Sequence, residues 1–394
     1  MNADPAVRTE PVMRLLVVDD LEMNRDLLLR RVRRLGHEAE AAVNGRDALD
    51  KMRASPWDLV LLDITMPEMD GYETLRRIKA DPLLAHTPVI MVSAIDETES
   101  VVRCLELGAD DYLPKPFNPA ILRARIESSL TKKRFADQKR LLLQSLSREM
   151  DIGQRIQQGF LPDAMPLLDG WDLAGRCTPA RRVSGDFYDA FVLSSGRLAV
   201  AVADVCDKGV GAALYMALFR TLLRAMSCHA PATEHPGETL SRSVAFTNDY
   251  IATVHGRDSM FATVFFAIID PVSGHVDYVN AGHDPPFISH HAGGPAERLE
   301  PSGPAVGMWA GNRCPVHEAT LAPGDTLFAY TDGVTEALGP TGGYGEAALL
   351  EVLQGHSGDA SGLLRSLHAR LAEHVGGFAQ HDDITMVCVR RSAT

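Results

Sequence analysis

Three aspartates, a serine and a lysine follow apolar runs in the first third of the chain. Asp19 and Asp20 end RLLVVDD, Asp63 ends DLVLLD, Ser93 follows PVIMV, and Lys115 follows DYLP. Crowded carboxylates repel one another, and a hard divalent cation with oxygen ligands, typically Mg²⁺, relieves that repulsion. A cation opposite a lysine ammonium would neutralise the charge on a transferred phosphoryl group, and Asp63 could be the nucleophile that forms an aspartyl phosphate.

A second set of acidic residues stands beside apolar runs and sharp turns later in the chain. Its members are Asp186 in VSGDFYD, Asp204 in VAVADV, Asp332 in FAYTDG, and the pair Asp382 and Asp383 in QHDDITMV. Aspartates next to apolar strands are costly to bury unless they are paired or bind metal. Oxygen ligands without clustered histidine and cysteine indicate Mn²⁺ or Mg²⁺ rather than zinc. Two such ions that share carboxylates could activate a bridging water for attack on a phosphoester.

The elements around the first set predict an α/β fold. Between Met13 and about Leu130, five strand-like runs alternate with five helical patterns, at Asn24 to Leu35, Gly45 to Ala54, Tyr72 to Ala80, Glu97 to Leu107, and from Asn118 onward. This alternation predicts a doubly wound, five-stranded parallel sheet with helices on both faces. The functional crevice of such a sheet lies beyond the carboxyl ends of its strands, so we expect the first set to converge there.

A helical linker is predicted to follow the first domain. Residues 131–160 contain no proline and carry the apolar residues Phe135, Leu142, Leu146, Ile152 and Ile156. Their spacing is not a clean heptad, so the helix either pairs with a second copy in a coiled coil or docks on its own domain. The segment LPDAMP then ends the helix, because each proline disfavours helix at the residue before it.

The pattern changes to paired strands from Trp171 onward. Turn signals such as SSG and PVSG separate β-type runs, and helical patterns lie at Ala212 to Ser227, Thr239 to Val254 and Ala347 to His374. Antiparallel sheets with packed helices, in an α+β layered sandwich, follow from that order. The Gly- and Pro-rich stretch at 290–307 is predicted to be a long surface loop. We place the first domain at 13–130, the linker at 131–165 and the second domain at 166–392.

Composition narrows the class of protein. The chain has 394 residues and a net charge of −13, which disfavours binding to nucleic-acid phosphates. Its beginning lacks a leader pattern, and no stretch reaches the apolar length of a membrane helix. Six scattered cysteines without a CxxC pair indicate free thiols in a reducing compartment. We therefore expect a cytoplasmic protein with neither a nucleic-acid nor a membrane partner.

The first domain resembles the CheY-like receiver domains of response regulators. VVDD, LLDITMPEMDG, MVSA and DYLPKPF are similar to the four signature segments of that family. The resemblance implies that Asp63 is the phosphoacceptor and that Asp19, Asp20 and the Thr65 carbonyl join it as magnesium ligands. It also implies that Ser93 bonds the phosphoryl group, that Lys115 pairs with it, and that Tyr112 is the ring that rotates inward.

The second domain resembles the metal-dependent serine/threonine phosphatases of the PPM type, in their SpoIIE/RsbU-like branch. SGDFYDAF, ADVCDKGVGAALYMA, NAGHDPP, YTDGVTEA and DDITMV are similar to its successive motifs. The implied ligands of two Mn²⁺ or Mg²⁺ ions are Asp186, Asp204, the Val205 carbonyl, Asp332 and Asp382. Asp383 is the weaker candidate of the adjacent pair, because the resemblance places the ligand at the first position of that segment.

Four further residues of this domain carry expectations. Gly209 and Gly211 are expected to give the turn before the helix at Ala212 a close backbone approach. His283, in NAGHDPP, is interpreted as structural, because hydrolysis can run on metal-activated water. In the same motif, Asp284 stands where the resembling branch more often has asparagine.

Together the two resemblances imply a phosphorylation-controlled response regulator that dephosphorylates a protein. A histidine kinase would supply the phosphoryl group. The implied substrate is a phosphoserine or phosphothreonine on an anti-sigma-factor antagonist of the STAS type, which would control a sigma factor by partner switching. We expect no anti-sigma kinase domain after the last strand. The alternative is a pseudo-phosphatase adaptor that binds a sigma factor or an antagonist without catalysis. A homodimer through the linker helix is a further hypothesis.

Overall fold

The structure is a computed structural model that describes residues 11–94, 98–116, 118–291, 293–340, 342–356 and 358–393. Two residues of the sequence predictions lie outside the described residues. They are Glu97, the expected start of the fourth helix, and Phe117, the last residue of the motif DYLPKPF. The chain divides into two compact units, Met1–Leu146 and Ser147–Thr394, and each is described by itself.

A five-stranded parallel sheet in the order β2-β1-β3-β4-β5 forms the centre of the first unit, as predicted. Its strands are β1 Arg14–Val18, β2 Glu38–Ala42, β3 Leu59–Asp63, β4 Val89–Ser93 and β5 Asp111–Pro114. The helices between them are α1 Glu22–Arg34, α2 Gly45–Ala54, α3 Gly71–Ala80 and α4 Thr98–Glu106. Side-chain caps begin two of these helices, because Asn44 accepts from the Asp47 amide and Asp70 accepts from the Glu73 amide.

Strand residues of the first unit alternate between two cores, one on each face of the sheet. Leu15 and Leu61 pack on one face with α1 and the helix α5 Pro119–Gln158, and Leu16 and Leu62 pack on the other with α2, α3 and α4. Both faces are buried, which is why β3 and β4 read as continuous apolar runs. The sheet therefore holds the ends of β1 and β3 rigidly beside each other.

The last receiver helix and the predicted linker form a single helix, α5 Pro119–Gln158. Several of its apolar side chains are exposed, including Phe135, Leu142 and Ile156. The helix ends at Gln158, before the segment LPDAMP, as the two prolines of that segment predict.

The second unit contains two five-stranded antiparallel sheets, with strand orders β13-β10-β9-β8-β7 and β12-β11-β14-β17-β6. The longer strands are β6 Trp171–Thr178, β7 Phe187–Val192, β8 Leu198–Val205, β9 Ala262–Ile269, β10 His275–Ala281, β14 Thr326–Tyr330 and β17 Ile384–Arg391. The shorter strands are β11 Phe287–Ser289, β12 Glu297–Arg298, β13 His317–Thr320, β15 Leu338–Gly339 and β16 Gly342–Gly343. The helices are α6 Val210–Cys228, α7 Pro236–Val254, α8 Gly345–Gly355 and α9 Ala360–Val375.

These elements stack in four layers, with the two sheets between two pairs of helices. Met216 and Phe219 of α6 pack on the outer face of the first sheet, and Leu363 and Leu367 of α9 pack on the outer face of the second. A third apolar cluster, which includes Val200, Phe265 and Val387, fills the space between the sheets. The predicted layered α+β sandwich is confirmed.

Two local predictions were wrong. The helical pattern from Ala347 to His374 is two helices, because the chain between α8 and α9 leaves the helical conformation around Gly358 and Asp359. The stretch 290–307 is not a surface loop throughout, since Leu299 and Val306 are fully buried and Val306 exchanges two backbone hydrogen bonds with Ala262. In the part of the chain that the structure describes, no helix is long and apolar enough to cross a membrane.

Candidate functional site

The first set of aspartates converges at the carboxyl end of the parallel sheet. Asp19, Asp20 and Asp63 each place a carboxylate oxygen within 4.8 Å of the others. Asp19 and Asp63 are buried, with exposures of 0% and 6%. Three carboxylates at this spacing are a set of hard oxygen donors, and that set suits a divalent cation of the Mg²⁺ type.

Lys115 joins two of these carboxylates from the loop after β5. Its Nζ donates to Asp19 Oδ2 at 2.7 Å and lies 3.0 Å from Asp63 Oδ1. Burial raises the pKa of Asp63, and the charge of Lys115 opposes that rise. Burial alone would lower the pKa of Lys115, but its hydrogen bond to Asp19 and the charge of Asp63 outweigh burial, so the pKa is raised. Lys115 is therefore held as a cation beside the phosphoacceptor candidate.

The remaining receiver candidates occupy the same edge or the adjoining core. Ser93 ends β4 and is 1% exposed. Tyr112, in β5, is 7% exposed and packs in the apolar cluster on the α4 side of the sheet. Thr65 is exposed two residues after Asp63.

Gly71 is a residue of this site to which the sequence analysis gave no role. A Cβ atom at this position would lie 2.2 Å from the Asp63 carbonyl oxygen, and the Gly71 amide donates to the Ile64 carbonyl oxygen at 2.8 Å. Only a residue without a side chain allows α3 to begin against the strand end that carries Asp63. The signal was the glycine of MPEMDG, which stands at the start of α3.

Four segments of the second unit bring the second set of aspartates together. Asp186 directly precedes β7, Asp204 lies at the end of β8, Asp332 follows β14, and Asp382 precedes β17. Each of the first three has the next as a strong electrostatic neighbour, in the order Asp186, Asp204, Asp332, Asp382. In the described part of the chain, three carboxylate oxygens within 4.8 Å occur at the receiver site but not among these four residues. The second site is therefore the wider of the two.

Mutual repulsion and burial perturb the acidity of this second set. Burial, with the charge of Asp332, raises the pKa of Asp204 to about 7. Burial, with the charge of Asp382, raises the pKa of Asp332 to about 6. The pKa of Asp186 is also raised by burial and by Asp204. The charged forms are thus unfavourable side by side, and divalent cations with oxygen ligands would relieve that cost.

Thr331 orients the most buried of these aspartates. Its Oγ1 donates to Asp186 Oδ2 at 2.7 Å and accepts from the Thr385 amide at 3.0 Å. Asp186 is 2% exposed. Because Thr331 is adjacent to Asp332 and Thr385 is close to Asp382, one chain of hydrogen bonds ties three of the four segments together.

Asp383 has a different environment from its neighbour Asp382. Its Oδ2 accepts from the Ser184 hydroxyl and the Gly185 amide, both at 2.8 Å, and its Oδ1 accepts from the Ala180 amide at 2.7 Å. Three protein donors therefore occupy the Asp383 carboxylate, which anchors the loop 180–186. Asp382 instead accepts from Lys208 Nζ at 2.7 Å and lines a groove of about 380 Å³.

Lys208 was missed by the sequence analysis. It lies in ADVCDKGVG, a quoted motif, but its contact with Asp382 depends on two segments that are distant in sequence. The hydrogen bond to Asp382 raises the pKa of the Lys208 ammonium. Gly185 allows a close approach between two segments of the site. A Cβ atom at Gly185 would lie 2.9 Å from the Val205 carbonyl oxygen, so only glycine lets that carbonyl lie beside the residue that precedes Asp186.

The expectations for the four further residues have mixed outcomes. Gly209 has φ +93°, a conformation that favours glycine, and it precedes α6. A Cβ atom at Gly209 or at Gly211, which lies inside α6, would meet no described atom within 4 Å, so the close approach expected of both glycines is not found. His283 is 2% exposed, and burial lowers its pKa to about 4, which leaves it neutral near pH 7. Asp284 is partly buried, and burial with the charge of Glu336 raises its pKa.

Comparison with known proteins decides the family. The Stage II sporulation protein E model matches residues 194–392, half of the chain. The chain belongs to the SpoIIE family. The matched range contains three of the four converging aspartates, and Asp186 lies just before it. The response regulator receiver domain model matches residues 15–127, so the SpoIIE domain follows a receiver domain.

Individual relatives of this SpoIIE-family chain each match about three fifths of its length. Protein IcfG of Synechocystis sp. strain PCC 6803 is 42% identical over 268 residues, which cover 62% of this chain and 42% of IcfG. Phosphoserine phosphatase RsbU of Bacillus subtilis is 27% identical over 250 residues, which cover 63% of this chain and 71% of RsbU. The chain thus spans less than half of the length of IcfG.

A solved structure supports the fold of the SpoIIE domain. The SiaA-PP2C domain of Pseudomonas aeruginosa aligns with a TM-score of 0.54 and 21% sequence identity, over 63% of this chain and 98% of that domain. At this identity the likeness concerns the fold alone.

Proposed function

We propose that this SpoIIE-family chain is a phosphatase that hydrolyses phosphoserine or phosphothreonine on a protein and is controlled by phosphorylation of its receiver domain. The convergence of Asp186, Asp204, Asp332 and Asp382 from four separate segments carries the proposal. Their mutual repulsion is tolerable in a folded protein when cations lie among them. The wide spacing of these carboxylates suits a pair of ions that share ligands.

In the proposed hydrolytic site, the four aspartates and the Val205 carbonyl hold two Mn²⁺ or Mg²⁺ ions. When bound, the ions activate water and neutralise the charge of the phosphoryl group. Thr331 and Asp383 hold the ligand-bearing loops in place. Lys208, beside Asp382 at the rim, is positioned to attract a phosphorylated side chain.

In the proposed receiver site, Asp63 accepts a phosphoryl group from a histidine kinase. Asp19, Asp20, Asp63 and the Thr65 carbonyl would hold one Mg²⁺. Lys115, already 3.0 Å from Asp63, would pair with the phosphoryl oxygens, and Ser93 would donate to them. Tyr112 would change its packing in response, and the state of Asp63 would set the rate of the phosphatase.

The proposed substrate is the phosphorylated form of a STAS-type anti-sigma-factor antagonist. This proposal is supported by the similarity to RsbU, which is named a phosphoserine phosphatase. We also propose that the protein works in the cytoplasm, a reducing compartment that suits its six free cysteines. A homodimer through α5 is proposed from the exposed side chains of Phe135, Leu142 and Ile156, and a monomeric mass by light scattering in both phosphorylation states would exclude it.

The deciding experiment measures phosphate release from phosphorylated candidate antagonists by the full chain with Mn²⁺. Asp332→Asn should lower the rate by at least about a hundredfold, because it removes a ligand of the site. Asp169→Asn, an exposed aspartate of the same unit, is the matched control and should keep the wild-type rate. No Mn²⁺-dependent release in either receiver state would favour the adaptor that binds without catalysis.

Receiver control is tested in the same assay with beryllofluoride as the phosphoryl mimic. The rate of the wild-type chain should change on addition of the mimic, and Asp63→Ala should abolish that change. Asp50→Ala, which alters an exposed aspartate of α2, should respond as the wild type does. Equal rates with and without the mimic in the wild type would show that the receiver does not control the phosphatase.

A further inference from the structure

A third group of potential metal ligands lies outside both sites, on strands β10 and β13. His275, Asp277 and Glu318 each place one ligand atom within 4.8 Å of the others. In the antiparallel register, Asp277 stands directly opposite Glu318 on the edge strand β13. Like charges directly opposite each other on neighbouring strands destabilise a sheet. This pairing therefore needs a source of positive charge.

The most informative member of this group is Asp277, which is 2% exposed. Among the described residues its Oδ2 has no hydrogen-bond partner, although His275 Nε2 lies 3.5 Å away. A buried carboxylate oxygen without a donor costs about 1 to 3 kcal/mol or more. Burial accordingly raises the pKa of Asp277. This unpartnered acceptor, close to a histidine and a second carboxylate, is therefore able to bind a cation.

The surroundings leave room for an ion. Besides His275, the charges of His235 and Arg197 oppose the rise in the pKa of Asp277. Asp277 and Glu318 line a hollow of about 570 Å³ together with His235, the residue that precedes α7. His235 Nδ1 accepts from the Gly237 amide at 3.2 Å, which turns the ring across the first turn of α7. Two arginines that line the hollow have acidic partners of their own, since Arg242 pairs with Glu234 and Arg313 pairs with Asp249.

We propose that His275, Asp277 and Glu318 form a binding site for a divalent transition-metal ion, with Zn²⁺ as the best match. One imidazole nitrogen and two carboxylate oxygens suit Zn²⁺, whereas the oxygen-only sets of the other two sites suit Mg²⁺ or Mn²⁺. Bonds of about 2.1 Å to a tetrahedral ion set its ligand atoms about 3.4 Å apart, so small side-chain rotations complete the site. Water supplies the fourth ligand. The ion would fasten the edge strand β13 to β10.

The rival explanation is that a protonated His275 alone neutralises the two carboxylates. The two explanations differ in their response to zinc and to removal of Glu318. Without metal, Glu318→Gln removes a like-charge opposition and should leave the thermal unfolding midpoint unchanged or raise it. With metal, the same change removes a ligand and should abolish the stabilisation by Zn²⁺.

The test uses the full chain, Zn²⁺ alone as the probe, and a background of excess Mg²⁺ in every sample. Zn²⁺ bound per chain is measured by equilibrium dialysis for the wild type, His275→Gln, Glu318→Gln and the matched control His317→Gln. His317 neighbours Glu318 but points to the opposite face of the sheet, where its ring lies 5.7 Å from that of Tyr278. Binding at other sites is common to all four proteins and cancels in the comparison.

We expect the wild type and His317→Gln to bind one more Zn²⁺ per chain than His275→Gln and Glu318→Gln. Zn²⁺ should also raise the thermal unfolding midpoint of the first two proteins by more than that of the other two. Equal zinc binding by all four proteins would overturn the proposal. So would a loss of binding in His317→Gln as large as that in His275→Gln. Glu318 and His317 are exposed, so their substitution should not disturb the fold. In chelator, the unfolding midpoints of these two variants should equal or exceed that of the wild type, and a lower midpoint would reveal misfolding.

Discussion

Asp383 accepts a 2.8 Å hydrogen bond from the hydroxyl of Ser184, a residue 199 positions earlier in the chain. The bond joins the loop that carries Asp186 to the segment that carries Asp382. Two candidate metal ligands from opposite ends of the SpoIIE-family domain are therefore positioned by one carboxylate that accepts three hydrogen bonds from the loop 180–186.

Asp383→Ala should weaken both the fold and the metal site. It leaves the Ser184 hydroxyl and the Gly185 and Ala180 amides without their acceptor, and each bond to a charged group contributes about 1.5 to 3 kcal/mol. We expect a lower thermal unfolding midpoint and a weaker apparent affinity for Mn²⁺ in the phosphatase assay. Ser184→Ala should show the same changes at a smaller size. An unchanged Mn²⁺ affinity in Asp383→Ala would contradict the anchoring role.

Thr331→Val should reduce the affinity for Mn²⁺ with little change in shape. Valine keeps the volume of threonine but removes the hydroxyl that donates to Asp186 at 2.7 Å. Loss of a residue that orients a metal ligand typically lowers metal affinity by about 10- to 100-fold. Titration of Mn²⁺ against phosphate release measures this shift. Thr233→Val, at an exposed position, serves as the control and should titrate like the wild type.

Gly71→Ala should impair phosphorylation of the receiver domain. The added methyl group would lie 2.2 Å from the Asp63 carbonyl oxygen, so either β3 or the start of α3 must move. We expect the uptake of phosphoryl groups from acetyl phosphate, followed by Phos-tag electrophoresis, to fall at least about tenfold. Gly153→Ala introduces the same methyl group where no atom lies within 4 Å, and it should leave uptake intact. Wild-type uptake by Gly71→Ala would show that the strand end tolerates the shift.

His283 should contribute a pH dependence to the stability of the SpoIIE domain. Its pKa is about 4 in the folded protein, below the ordinary value of 6.5, because the ring is buried. The unfolded chain therefore takes up a proton between pH 6.5 and pH 4 that the folded chain does not. The stabilising contribution is complete above pH 6.5 and is lost as the pH falls through this window, by up to about 1.4 kcal/mol per pH unit.

Thermal unfolding of the wild type and His283→Gln at several pH values from roughly 7.5, above the window, to roughly 4.5, near its lower limit, measures this contribution. His283→Gln should be less stable at neutral pH but should have a shallower slope below pH 6.5. The exposed His229 provides the comparison, since His229→Gln should retain the wild-type slope. Equal slopes in all three proteins would assign the acid sensitivity to other groups.

The sequence predicted the positions of the acidic residues better than the contacts that hold them. Asp19 directly follows β1 and Asp63 is the last residue of β3, and parallel strands end at a common edge, so their convergence followed from topology. The bonds from Ser184 to Asp383 and from Lys208 to Asp382 join segments that only tertiary packing brings together. No local pattern contains that information.

Errors in the fold came from polar and glycine-rich segments. The break between α8 and α9 includes Gly358 and Asp359, two residue types that favour turns. The helical period of the apolar residues on both sides outweighed these two residues in the prediction. The loop prediction at 290–307 gave too much weight to the glycines and prolines of this stretch. It gave too little weight to Leu299 and Val306, which are apolar and fully buried.

Strand β8 has no face in contact with solvent. Leu198, Val200 and Val202 belong to the core between the sheets, whereas Ala199, Ala201 and Ala203 belong to the core beneath α6 and α7. Asp204 stands at the end of this strand. Looser packing in either core would therefore displace Asp204 while the domain is still folded. On heating, we expect the phosphatase activity to fall at a lower temperature than the circular dichroism signal of the folded chain.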